Sequence, residues 1–172
     1  MFTEKRQAFP LIESILAFLI FILHYTSLID ITVYTASPLI LLPLCIAVAM
    51  FRGELTGIIF SLICGLACDS VSSSISYNTL AFMFTGFFVG LLAKNIFNRN
   101  FRGALALTLI SSVFYFGLKW ILEYLITDVQ GKVYYLLFYT APSAFYTTLF
   151  IIPFFFLEKW LMREKKSKTK LI

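Results

Sequence analysis

Few side chains in this 172-residue chain are of a type that does chemistry, and their settings narrow what that chemistry could be. The single histidine, His24, stands alone near the end of the apolar run "FPLIESILAFLIFILHYTSLI", where an interfacial packing role is the plainer reading. Three cysteines, Cys45, Cys64 and Cys68, all lie inside apolar runs. Their closest pair is spaced Cys-x-x-x-Cys with no histidine or further cysteine nearby, which fits neither a metal site nor a redox motif. They read as small, soft packing residues. No glycine-rich phosphate loop, paired-carboxylate constellation or Ser-His-Asp arrangement can be assembled. The sequence therefore predicts no catalysis, no metal and no cofactor.

What remains is a small set of ionisable groups inside apolar segments, which are functional candidates by default when the surroundings are a membrane. Glu13 lies about one turn into the first run, within reach of basic residues at its start. Lys119 and Glu123 are four apart, on one helical face, and can form an ion pair. Asp69 stands near the end of "GELTGIIFSLICGLACDSVSS". On the way to it Gly53, Gly57, Ser61, Gly65, Asp69 and Ser73 recur every fourth position, so they stack along one side of a helix as a groove. Small-residue grooves let helix backbones approach within a bilayer, and Thr85, Gly86 and Gly90 offer a second strip that could meet this one. Gly57, Ser61, Gly65, Asp69, Gly86 and Gly90 are thus a candidate helix-packing or partner surface. Asp69, Lys119 and Glu123 are a candidate outer polar pocket. Asp69 itself reads either as a cap for the turn into the next helix or as the polar element of a binding surface, with the serines of "SVSSSIS" as possible hydrogen-bond partners.

The elements that must position these residues follow from composition. The chain is 60% hydrophobic and 13% charged, with mean hydropathy +0.89, against about 25% charged in ordinary soluble domains. Apolar runs give six expected spans, about 9–29, 33–51, 54–70, 78–97, 103–126 and 133–161, followed by a basic tail over 162–172. The first is too long for a signal-peptide core and is expected to be retained. "RGE" between the second and third predicts a tight hairpin in which Gly53 takes the unusual backbone. Pro38, Pro43, Pro142 and Pro153 predict kinks or breaks, and the last run is expected to begin with an interfacial piece. Twelve of the fourteen basic residues fall at alternate ends of the spans, which by the positive-inside rule predicts both termini in the cytoplasm. Tyr25, Tyr34, Tyr77, Trp120, Tyr124, Tyr134, Tyr135 and Tyr139 cluster at the opposite ends, as interfacial aromatics do. Asp69 is 17 residues beyond Arg52, about 25 Å of helix, which places it near the outer boundary.

The run Gly57-xxx-Ser61-xxx-Gly65-Leu66-Ala67-Cys68-Asp69, followed by Asn78, Thr79 and Leu80 and then Gly86 and Gly90, resembles the rod shape-determining protein MreD family. The chain departs from the family pattern at Ser76, where glycine is usual, and at Ser61-Leu62, where glycine-phenylalanine is usual. The resemblance implies a non-enzymatic, multi-pass component of the bacterial cell membrane, supporting cell shape and lateral peptidoglycan synthesis within the elongation complex. Its implied partners are an MreC-like bitopic membrane protein, the MreB filament, and a glycan polymerase and transpeptidase, with no nucleic acid. The architecture is an all-α integral membrane protein that also resembles the six-helix substrate-binding subunits of energy-coupling-factor vitamin transporters. Such a subunit is the alternative, although span one shows no clear Ala-x-x-x-Ala coupling face. An unrelated small channel or anchor is a third reading.

Overall fold

The computed structural model describes residues 11–25, 38–71, 77–95, 100–126 and 132–169. Those residues are helical with short connections and no strand. The helices are α1 (Leu11–Tyr25), α2 (Leu41–Arg52), α3 (Glu54–Val71), α4 (Asn78–Asn95), α5 (Phe101–Trp120), α6 (Lys132–Tyr135), α7 (Ala141–Leu149) and α8 (Ile151–Thr169). One π-helical turn, Ile121–Leu125, prolongs α5, and another, Leu136–Thr140, joins α6 to α7.

Among the described residues, three stretches are long and apolar enough to cross a membrane: Glu54–Val71, Phe101–Glu123 and Val133–Met162. Glu13–Ile22, Leu41–Arg52 and Asn78–Lys94 are apolar but shorter. Of the second expected span, about 33–51, residues 33–37 lie outside the described residues, and the described helix starts at Leu41. Pro38 and Pro43 explain the late start, because a proline is tolerated in the first turn, where its missing N–H has no partner to lose, but not deeper. The last run, about 133–161, is broken twice. The first break ends where Pro142 enters, and the second, at Phe150, lies three residues before Pro153. Each proline lacks the N–H that would reach four residues back. Helix α8 then continues to Thr169 through most of the basic tail.

Helix α2 is the centre. It touches α1, α3, α4, α5, α7 and α8, and every residue from Leu41 to Phe51 is buried. A helix apolar on all sides belongs inside a bundle, and α2 is one. Arg52-Gly53-Glu54 turns the chain from α2 into α3. Gly53 has φ +95°, a left-handed conformation that L side chains rarely adopt, and its N–H closes on Ala49 O at 3.0 Å. On the other side α5 and α7 are joined by Ser112 and Thr148, whose hydroxyls meet at 3.0 Å, and Leu39 N donates to Thr147 Oγ1 at 3.1 Å. Interhelical hydrogen bonds of this kind specify pairing where apolar faces alone do not.

Candidate functional site

Helices α3 and α4 form the tightest pair, and their glycines are the reason. A Cβ on Gly65 would stand 2.6 Å from Thr79 Cα; on Gly86, 2.6 Å from Gly57 O; on Gly90, 2.6 Å from Glu54 Cα. Gly57 meets Gly86 O and also Ala49 of α2. The start of α3 therefore lies against the end of α4 and the reverse, an antiparallel pair with the two small-residue strips facing each other. Ser61, buried between them, has no hydrogen-bond partner for Oγ among the described residues. The groove is filled by the chain's own α4, so these glycines face inward and present no open surface to another protein.

The same close approach sets Asp69. With no side chain on Gly65, the first turn of α4 sits against the last turns of α3. The Asp69 carboxylate then accepts Asn78 N at 3.1 Å and Thr79 N at 2.8 Å, with the Thr79 hydroxyl as a third donor. The first-turn N–H groups of a helix lack internal acceptors and carry the positive end of its dipole. A carboxylate supplied by the preceding helix answers both, and of the two readings of Asp69 this geometry is the cap. Ser72, Ser73, Ser74 and Ser76 lie outside the described residues, and Ser70 donates to Ala67 O.

Around this cap lies a polar cluster at the end opposite Gly53. Tyr115 of α5 donates its hydroxyl to Asn78 Oδ1 and packs its ring against Tyr77, Phe82 and Phe116. Tyr77, in the connection before α4, is buried; burial first, and then the charge of Glu123, push its phenol well above the ordinary value, so its hydroxyl remains a donor. Lys119 and Glu123 face each other at 4.0 Å. With side chains 40% and 24% exposed, they form a loose surface pair worth little to stability. Asp69 and Glu123 both act on Tyr77. Two apolar hollows do open in the bundle, one between α1 and α3 and one between α5 and α7, and neither is lined by Asp69, Lys119 or Glu123.

A second polar cluster lies at the other end of α3. The Arg52 guanidinium, on the last residue of α2, donates through both Nε and Nη2 to Glu13 Oε1 of α1. Glu158 Oε2 of α8 stands 4.0 Å from Arg52 Nε. The side chains are at most 2% exposed. Sequence reasoning places Glu13 beside basic residues but does not single out Glu158. Its signal is present, a lone acid in "FFFLEKWL", but the basic tail beside it hides it. The side chains of His24, Tyr25 and Tyr124, and all of Tyr34, lie outside the described residues. No group of His, Cys, Asp and Glu among the described residues has the arrangement of a metal site, and the three cysteines are buried free thiols.

Compared with known proteins, the chain matches the sequence model of one family, rod shape-determining protein MreD, over residues 5–165, nearly its whole length. The chain belongs to the MreD family. No curated protein and no solved structure matches it. Membership in the MreD family gives it a role in rod-shape determination, and the apolar helices agree with a membrane protein. In this MreD-family chain the Gly65-Leu-x-x-Asp69 segment and the Asn78-Thr79 pair after it are two halves of one contact.

Proposed function

We propose that this protein is a non-enzymatic, multi-pass component of the bacterial cell-elongation complex, inserted in the cytoplasmic membrane with six spans and both termini inside. It supports lateral peptidoglycan synthesis by holding partners rather than by acting on substrate. The observation that carries this reading is the family match across residues 5–165. The distribution of basic residues supports the orientation: Lys94, Arg102 and Lys159 stand at the ends assigned to the cytoplasm.

The partners are an MreC-like bitopic protein and, through it, the MreB filament, a glycan polymerase and a transpeptidase. Because Gly57, Gly65, Gly86 and Gly90 are occupied within the chain, a partner helix meets the outward faces of α3 and α4, where Ile63, Leu66, Phe84 and Phe88 are exposed. The two apolar hollows between α1 and α3 and between α5 and α7 are not lined by Asp69, Lys119 or Glu123, and so lend the vitamin-transporter reading no support. Depletion in a rod-shaped host tests the function: cells are expected to round up. Rods that stay normal while growth becomes vitamin-dependent would overturn it. Photo-cross-linking from position 88 is expected to recover an MreC-like protein.

A further inference from the structure

Helix α1 is attached to the bundle differently from the others. Along its length it is separated from α3 by an apolar crevice of about 260 Å³, with Ala17, Phe18 and Phe21 on one wall and Phe60, Ile63 and Cys64 on the other. Its main contacts with the rest of the described bundle are to α2 and α3. At one end, however, Glu13 is fully buried and its Oε1 receives two donors from Arg52. Loose apolar packing along a helix and a sealed charge-assisted contact at one end are opposite situations, and together they identify what holds α1 in place.

We propose that the Glu13–Arg52 pair is a latch for α1: Arg52, fixed on the buried helix α2, holds the first helix against the α2–α3 hairpin, and breaking the pair lets α1 leave laterally while the rest of the bundle stays assembled. Three observations support it. The pair is a buried polar contact between α1 and α2, whereas the apolar wall facing α3 is incomplete. Glu13 Oε2 and Arg52 Nη1 are buried without a hydrogen-bond partner among the described residues, so the contact leaves polar capacity unused. And Arg52 is placed for release to be felt beyond α1, since Glu158 of α8 stands at the same guanidinium and Gly53, the left-handed turn into α3, follows it directly. The pair thus joins α1 to the point where α2, α3 and α8 converge.

The two hollows supply a matched test in the full-length protein in its native membrane. Phe18 lines the crevice between α1 and α3, and Phe145 lines the hollow between α7 and α5. Each is replaced in turn by photoreactive benzoyl-phenylalanine, and cross-linked peptides are quantified by mass spectrometry. In Glu13→Gln and in Arg52→Gln backgrounds, cross-linking from position 18 to α3 is expected to fall roughly twofold or more, as the released form becomes at least as populated as the held one. Cross-linking from position 145 to α5 is expected to stay unchanged. If neither signal falls, the pair holds nothing. If both fall together, Arg52 supports the whole fold and no separate latch exists. Either result overturns the proposal.

Discussion

Thr79 donates its backbone N–H to the Asp69 carboxylate at 2.8 Å, across a helix pair whose approach is permitted by the missing side chain of Gly65. The spacing of Gly65 and Asp69 has a direct physical meaning: one turn of α3 provides the clearance and the next provides the cap. Asp69→Ala removes acceptors for two backbone donors and a hydroxyl, and is expected to lower stability by about 1–2 kcal/mol, the range for a lost helix cap. Asp69→Asn keeps one acceptor oxygen and is expected to fall between. Thermal unfolding of the purified protein in detergent orders the three. If Asp69→Asn is as stable as the parent yet cells lose rod shape, the carboxylate has a role beyond capping.

The glycines divide into two groups that one measurement separates. Gly65→Ala, Gly86→Ala and Gly90→Ala each place a methyl within about 2.6 Å of backbone or of Ser61, and overpacking of that kind costs about 1–3 kcal/mol. Gly117 has nothing within 4 Å of where its Cβ would be. Gly117→Ala is expected to be neutral or to raise stability by up to about 1 kcal/mol through helix propensity alone. Melting temperatures that fall for the first three and not for the fourth are the expected pattern.

Gly53 tests conformation without crowding. No atom lies within 4 Å of its would-be Cβ, but its φ is +95° with ψ 179°, so Gly53→Ala is expected to cost about 1–3 kcal/mol from backbone strain alone. The loss should appear in unfolding of purified protein. An Ala variant as stable as the parent would show that the turn can relax.

Tyr115→Phe removes one hydroxyl and leaves the ring contacts with Tyr77, Phe82 and Phe116 in place. Asn78 Oδ1 loses its donor, and a net loss of about 1 kcal/mol is expected. A double-mutant cycle with Asn78→Ala should return a coupling of the same size.

Much of this arrangement is legible in the sequence, for reasons that differ by element. The register Gly57, Ser61, Gly65, Asp69 identifies one face of α3 without a structure, because small residues at every fourth position of an apolar helix clear a path for a second backbone. "RGE" gives the hairpin because glycine alone tolerates that turn cheaply. What the groove faces is another matter: the same strip serves a partner or a neighbouring helix, and only the position of Gly86 and Gly90 against it decides. The central place of α2 is not legible, since lipid and protein interior are equally apolar and leave no polar face to orient a helix. The Glu13–Arg52–Glu158 cluster is hidden for a third reason. Its members come from the first, second and last helices, and Arg52 looks like an ordinary cytoplasmic loop charge until the fold encloses it.

Helix α2 runs for 12 residues, about 18 Å, well short of a hydrocarbon layer of about 30 Å. An exposed helix of that length would pull the bilayer thinner or tilt its neighbours to avoid mismatch. Because α2 is enclosed on every side by other helices, acyl chains never meet it, and its length is decoupled from membrane thickness. Lengthening or shortening the lipids around this protein should strain α3, α5 and the last helices, while α2 keeps its place.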